Sequence, residues 1–240
     1  MTVLAGLPVC GATYLGFYFL YRASSQLTFH RSLSIWARRP STFPYTPLPT
    51  LSSITTMTPR STETLFEIAS DVIKLLRESK ETLAVAESLT GGGVMLALTA
   101  VPGASDCVRG GVVSYTTPLK ESILGVDGNL IAREGVVHAA VAAQMAEGAR
   151  RVAAVDGIEA TWGLGTTGVA GPDKQGKDVG TVFLAVAASD DTQTWGPFSF
   201  PGSREQVRQG AVLEALARLR QALVRWRTNN SEKKSFTRLS

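Results

Sequence analysis

Residues 82–93 read TLAVAESLTGGG, an apolar run that leads directly into Ser88 and a cluster of three glycines. The run over 82–86 is short and apolar, which predicts a buried β-strand. The apolar residues of 94–100 follow at once and predict a helix. Ser88 therefore stands at a strand-to-helix turn, where backbone N–H groups can converge on a developing negative charge.

Helices and strands alternate outward from this turn. Apolar spacings of three and four predict helices over 62–80, 119–124, 141–155 and from 203 onward, where Ser-Arg-Glu-Gln forms a capping box. Strands are predicted over 111–116, 158–164, 179–187 and 192–200. This alternation indicates a three-layer α/β domain around one sheet.

The charge of the chain is concentrated at its ends. The net charge is +4, yet residues 1–62 hold five arginines and no acidic side chain, so the remainder carries a net −1. Residues 1–61 are interpreted as a leader that resembles a transit peptide, with a poorly ordered leader, a start at Met57 or a membrane anchor as alternatives. The domain is expected over 62–228, followed by a polar basic tail over 229–240.

This distribution also bears on location and partners. The predicted location is the cytoplasm or a mitochondrion, and membrane attachment is the least favoured alternative. A basic patch for nucleic acid is not expected, because the surplus cations lie in the two ends rather than in the domain. The whole chain offers two cysteines and two histidines, too few for a disulfide framework or a zinc site, so we expect neither metal nor cofactor.

Two glycine-rich stretches resemble phosphate-binding motifs without meeting their requirements. Residues 163–168 match G-x-G-x-x-G, but Val-Ala-Gly-Pro follows, which cannot open the helix that this motif needs. Residues 171–178 approach a P-loop, but Asp178 replaces the required hydroxyl and a strand follows. Neither stretch is therefore interpreted as a nucleotide-binding motif, although such a glycine-rich loop allows close backbone approach to an anion.

A nucleophile in this chain needs a base other than histidine. His138 stands where a helix begins and is interpreted as a surface cap near Glu134. The alternative base is a lysine whose pKa is lowered by burial. Lys120 is the candidate, because it lies in the first turn of a helix, whose positive end also disfavours the ammonium, and it can then accept a proton from a serine such as Ser88. Tyr115, at the end of the preceding strand, is suited to orient it or relay a proton.

Each of these residues also has a structural interpretation. The alternative for Ser88 or Thr90 is that its side chain caps the following helix. The alternative for Lys120 is an ordinary solvated lysine on the surface. Arg204 and Arg208 begin the last helix, where their charge opposes the helix dipole. A bound phosphate or carboxylate would explain that placement, and lone surface arginines are the alternative.

The same positions carry a resemblance to a known family. The matching segments run in order along residues 63–226: AESLTGG at 86–92, PGAS at 102–105, GVVSY at 111–115, Lys120, LGV at 124–126, MAEGA at 145–149, TGVAGP at 167–172, VGTV at 179–182 and REQVR at 204–208. Together they resemble the C-terminal domain of the competence/damage-inducible protein CinA. Members of that family include amidohydrolases that convert nicotinamide mononucleotide to nicotinate mononucleotide and ammonia.

The resemblance implies a fold, an activity and a site. It implies an α/β/α sandwich, with one mixed sheet of about five strands, frequent homo-oligomerisation and no metal requirement. Ser88 would be the nucleophile, Lys120 its base and Tyr115 an assisting group, acting on a nicotinamide nucleotide. The residues expected around that substrate are Glu87, Thr90, Gly91, Gly92, Thr167, Gly168, Gly171, Arg204 and Arg208.

Three departures from the family pattern bear on these expectations. The loop over 172–179 is shorter than usual and reads Lys-Asp-Val-Gly at 177–180 in place of Lys-Pro-Val-Gly, which bears on substrate choice. His138 replaces a common serine. The 62 leading residues cannot supply the pyrophosphatase-type domain of full-length members, so that activity is not expected. A catalytically inactive nucleotide-binding or interaction module of the same fold is the alternative function.

Overall fold

The computed structural model describes residues 63–236, with side chains to residue 230, so the predictions for the leader and for the end of the tail lie outside the described residues. The helices are α1 Leu65–Ser79, α2 Gly93–Thr99, α3 Thr117–Ser122, α4 Gly128–Glu134, α5 Ala139–Val152 and α6 Arg204–Phe236. The strands are β1 Leu83–Glu87, β2 Val108–Val113, β3 Trp162–Gly168, β4 Thr181–Ala187 and β5 Thr192–Ser199. A 3-10 turn over Ala104–Asp106 precedes β2.

The five strands form one mixed sheet in the order β2-β1-β3-β4-β5. β1 is parallel to both β2 and β3, whereas β4 and β5 continue the sheet in antiparallel fashion. Leu83 and Val85 of β1 pack against α1, α2 and α6, while Ala84 and Ala86 pack against α4 and α5 on the other face. The predicted three-layer α/β/α sandwich around a mixed five-stranded sheet is confirmed.

Strand β3 begins later in the sequence than predicted. The glycines of this segment suggest a loop, and for that reason the predicted strand stopped at residue 164. The predicted strand over 158–164 becomes β3 at 162–168, so the G-x-G-x-x-G stretch is itself a strand. A Cβ at Gly163 would lie 2.0 Å from the carbonyl oxygen of Ala146, and one at Gly165 would lie 2.3 Å from that of Ala142. These glycines therefore let α5 pack directly on the sheet. They lie within a strand and do not form the turn into a helix that a dinucleotide-binding motif needs.

Other boundaries differ by a few residues. β2 ends at Val113, three residues before the end of the strand predicted over 111–116, although the Ser114 N–H still donates to the Glu87 carbonyl oxygen at 2.9 Å. Helix α4 was not predicted. The capping box at the start of α6 is confirmed, since the Ser203 N–H donates to Gln206 Oε1 at 2.8 Å. α6 continues as a helix through Phe236, into the segment predicted as a tail.

The described residues contain neither a membrane-spanning helix nor a cluster of metal ligands. No helix within residues 63–236 has the length and apolar character needed to cross a bilayer. Over the same part of the chain, no group of histidine, cysteine and carboxylate side chains is arranged to hold a metal ion. Cys107 is a free cysteine, and its burial raises the pKa of its thiol.

Candidate active site

Ser88 lies just beyond the carboxyl end of β1, the strand that pairs with both parallel neighbours. Its N–H donates to the carbonyl oxygen of Thr166 at 3.2 Å, and its side chain is largely buried. Because Glu87 pairs with Val113 in β2, the register places Ser88 beside Ser114. This edge of an α/β sheet is where ligands usually bind.

Lys120 reaches Ser88 from α3 and is buried there. Its Nζ lies 3.0 Å from Ser88 Oγ, 2.7 Å from the carbonyl oxygen of Ser114 and 3.5 Å from that of Tyr115. Only 2% of Lys120 is exposed, and this burial lowers the pKa of its amine from 10.5 to about 8. Burial, which was expected of a lysine that serves as a base, is therefore the cause of the lowered pKa. The interpretation of Lys120 as a solvated lysine is wrong.

Lys120 Nζ has three oxygen neighbours, and as an ammonium it donates to all three: Ser88 Oγ and the carbonyl oxygens of Ser114 and Tyr115. A neutral amine keeps two N–H donors and gains a lone pair. If the two carbonyl oxygens retain those donors, the lone pair faces Ser88 Oγ and can accept the proton of the serine. The pair therefore has the geometry of a nucleophile and its base.

Glu87 holds the turn after Ser88 from inside the protein. Its carboxylate, which is fully buried, accepts the backbone N–H groups of Gly92 at 2.9 Å, Val94 at 3.1 Å and Met95 at 2.9 Å. This carboxylate therefore caps α2, and neither Ser88 nor Thr90 does so. Predicted as a substrate contact, Glu87 is placed by the structure as a support of the turn.

The rest of the turn is fixed by backbone conformation and by one hydroxyl pair. Gly91 and Gly92 have φ angles of +60° and +93°, which side chains other than glycine rarely adopt. The Thr90 and Thr166 hydroxyls are 2.8 Å apart and buried. Thr90, Gly91 and Gly92, which were predicted as substrate contacts, thus shape the backbone around Ser88.

Arg204 contacts two other predicted residues at the rim of the site. Its Nη1 donates to the Gly171 carbonyl oxygen at 2.5 Å, and its Nη2 donates to the phenolic oxygen of Tyr115. Tyr115 is half exposed, and it contacts Lys120 through its backbone carbonyl rather than its phenol. Among the described residues, the Tyr115 phenol has no hydrogen bond to Lys120 or Ser88 that would carry the predicted proton relay. It is instead hydrogen-bonded to Arg204, which also binds Gly171.

The remaining predicted residues take supporting positions. The Thr167 hydroxyl donates to the carbonyl oxygen of Val136 at 2.7 Å, and Gly168 ends β3. Arg208 donates to two carbonyls of the turn after Ser88. His138 caps α5, where its Nδ1 accepts the Ala140 N–H at 3.2 Å. The interpretation of His138 as a helix cap is confirmed.

Two further residues at the site, Ser114 and Thr166, were not predicted. Ser114 supplies a carbonyl to Lys120, and its own hydroxyl is fully buried with no partner among the described residues. Thr166 contacts both the Ser88 backbone and the Thr90 hydroxyl. The parallel register would have indicated both, because Ser88, Ser114 and Thr166 lie at the ends of adjacent strands.

Fold and site together define the class of the protein: an α/β/α sandwich with a buried serine–lysine pair at the carboxyl edge of its parallel strands. The family model for the CinA C-terminal domain matches residues 65–223, and the chain belongs to that family. Curated relatives include a CinA-like protein of Frankia casuarinae, 48% identical over 153 residues, which cover 63% of this chain and 34% of that protein. Another CinA-like protein, from Anaeromyxobacter dehalogenans, is 45% identical over 159 residues, which cover 65% of this chain and 38% of that protein.

The chain thus spans about a third of the length of these curated relatives. Solved structures are similar over nearly their whole length. A CinA superfamily protein from Enterobacter cloacae has a TM-score of 0.64 at 30% identity, covering 70% of this chain and 98% of its own. A CinA superfamily protein from Escherichia coli has a TM-score of 0.63 at 29% identity, and the match covers 73% of this chain and 97% of that protein.

Proposed function

We propose that this protein is an amidohydrolase that converts nicotinamide mononucleotide to nicotinate mononucleotide and ammonia. The observation that carries the proposal is the buried pair, in which Lys120 Nζ lies 3.0 Å from Ser88 Oγ and has a pKa lowered to about 8. A lysine with that pKa is partly neutral near pH 7 and serves as a general base. Amidohydrolases among the members of the family that the chain resembles support the choice of substrate.

The proposed reaction has two steps. Neutral Lys120 takes the proton of Ser88 while Oγ forms a bond to the carboxamide carbon, giving a tetrahedral oxyanion. The oxyanion collapses, the C–N bond breaks and the Lys120 ammonium returns its proton to the departing nitrogen, which leaves as ammonia. Water, activated by the same amine, then hydrolyses the acyl-serine and releases nicotinate mononucleotide.

The rim of the site provides a position for the phosphate of the substrate. Arg204 is exposed there, and its guanidinium holds five donors, of which two are engaged with Gly171 and Tyr115. Arginine binds phosphate with geometry that lysine cannot match. We propose that Arg204 and the loop from Thr167 to Gly171 hold the ribose phosphate, while the carboxamide carbon approaches Ser88 Oγ from the side that Lys120 leaves open.

The proposed function is tested by incubating the full chain with nicotinamide mononucleotide. Ammonia and nicotinate mononucleotide should appear in equal amounts, as measured by a coupled ammonia assay and by chromatography. Nicotinamide released instead would mean cleavage of the glycosidic bond, and would contradict the proposal. No product at all, with nucleotide binding intact, would favour the inactive binding module.

The pH dependence of turnover should follow the amine of Lys120. With its pKa lowered to about 8, kcat/KM is expected to rise with pH, roughly tenfold per unit well below 8, and to level off above it. The sign follows because the base is active only when deprotonated. Initial rates between about pH 6 and pH 9.5 would show this; a flat profile, or a rate that falls through pH 8, would contradict the role.

Replacing Arg204 should affect substrate binding more than chemistry. Arg204→Met is expected to raise KM for nicotinamide mononucleotide by about 10- to 100-fold, because a charge-assisted hydrogen bond to phosphate contributes about 1.5–3 kcal/mol. The matched control is Arg225→Met on the same helix, where the side chain is exposed and 3.4 Å from Gln193. An unchanged KM in Arg204→Met would place the phosphate elsewhere.

A further inference from the structure

The backbone turn that follows Ser88 has two N–H groups left for a ligand. The N–H of Gly91 donates to the Ser88 carbonyl oxygen at 3.1 Å, that of Gly92 to Glu87 at 2.9 Å, and that of Gly93 to the Thr90 carbonyl oxygen at 3.1 Å. The amides of Leu89 and Thr90 donate to no residue of the described chain. Of the backbone N–H groups in this turn, those of Leu89 and Thr90 are therefore the ones available to an oxyanion.

Arg208 determines how this turn is oriented. Its Nε donates to the Leu89 carbonyl oxygen at 3.1 Å and its Nη2 to that of Thr90 at 3.0 Å. These are contacts between α6 and a turn more than a hundred residues earlier in the chain. A Cβ at Gly91 would lie 3.0 Å from the same Nη2, so the glycine leaves room for the guanidinium.

Peptide geometry transmits this contact to the reaction centre. The Leu89 carbonyl and the Thr90 N–H belong to one planar trans peptide, so they point in opposite directions. With the carbonyl held toward α6, the Thr90 N–H points away from α6. Ser88 and Lys120 lie on that other side, because β1 residues alternate and Ser88 follows Ala84 and Ala86, which pack toward α4 and α5.

We propose that Arg208 is a positioning residue that fixes the Leu89–Thr90 peptide, so that the Thr90 N–H forms the oxyanion site for Ser88. The positive guanidinium on the carbonyl also polarises the peptide, which strengthens the hydrogen bond that its N–H donates. A preorganised donor of this kind stabilises the charge that develops in the transition state. This assignment replaces the substrate contact predicted for Arg208, and it rests on the proposed function.

The experiment compares Arg208→Met and Arg208→Lys with wild type on two substrates, nicotinamide mononucleotide and nicotinamide riboside, which lacks the phosphate. A positioning role predicts that Arg208→Met lowers kcat about 10²- to 10³-fold on both substrates by the same factor, with KM nearly unchanged. Arg208→Lys, which can still reach one carbonyl, should regain part of that rate. A loss confined to KM for the phosphorylated substrate would make Arg208 a phosphate ligand and overturn the proposal.

A second readout separates this inference from the choice of substrate. A fluorophosphonate probe forms a covalent bond to an activated serine and develops negative charge on an oxygen as it reacts. Arg208→Met should label at Ser88 about 10²-fold more slowly than wild type, whereas Arg225→Met should label at the wild-type rate. If Arg208→Met labels more slowly than wild type and wild type does not turn over nicotinamide mononucleotide, the inference is supported and the proposed substrate is refuted. Equal labelling of Arg208→Met and wild type, or a wild type that neither turns over nor labels, would overturn it.

Discussion

Replacing Ser88 by alanine is expected to lower turnover of nicotinamide mononucleotide by at least about 10³-fold while the protein stays folded. The substitution removes one oxygen, which in the structure contacts Lys120 at 3.0 Å. Without it no acyl-serine forms, and the remaining rate is that of water attacking a bound carboxamide. Ammonia release at saturating substrate measures the loss, and calorimetric binding of the nucleotide should remain close to wild type.

Ser70→Ala is a suitable control for this experiment. Ser70 lies on α1, where its hydroxyl donates to the carbonyl oxygen of Phe66 at 2.7 Å, and it has no contact with the site. Its replacement should leave kcat and KM unchanged. Turnover in Ser88→Ala within a few fold of wild type would remove Ser88 from the chemistry and, with it, the proposed role of Lys120.

The pair itself was predictable from sequence because both residues occupy recognisable local positions. Ser88 follows an apolar strand and precedes glycines, and Lys120 follows Thr117-Pro118, a common helix opening. Neither position shows how deeply a side chain is buried. The burial that lowers the pKa of Lys120 depends on how α3 packs over the ends of β1 and β2, which is a tertiary property.

The boundary of β2 illustrates how the site changes local structure. The β-branched residues of 111–116 favour a strand throughout, yet β2 ends at Val113. Beyond it the carbonyls of Ser114 and Tyr115 turn to the amine of Lys120. Strand propensity is a weak local preference, and here a buried lysine that needs acceptors outweighs it.

The contacts of Arg208 show what local patterns cannot provide. Its position in the first turns of α6 indicated an anion, because a cation there opposes the helix dipole. In the structure the acceptors are instead the carbonyl oxygens of Leu89 and Thr90. Those partners lie more than a hundred residues away in sequence, so only the packing of α6 against the turn identifies them.

Lys120→Met is expected to lower kcat by about 10³- to 10⁴-fold, because methionine has a similar length and no lone pair for the serine proton. Ser88 would then be an ordinary hydroxyl. The loss should persist up to about pH 9.5, since no neighbouring group replaces the amine, whereas the wild-type rate rises through pH 8. Steady-state rates across that range measure both effects, with Lys74→Met, an exposed lysine on α1, as the control.

The same variant tests burial as the cause of the lowered pKa. Because the amine has a pKa of about 8 in the folded protein and 10.5 when exposed, the unfolded chain binds more protons between those values. The wild-type free energy of unfolding should therefore gain a contribution as pH rises from about 8 toward 10.5, and Lys120→Met should lack it. Urea midpoints of both proteins at about pH 7 and pH 9.5 measure the difference. Identical shifts in the two proteins would mean that Lys120 is not desolvated in solution, and a lysine that is solvated at pH 7 is too strongly protonated to activate Ser88.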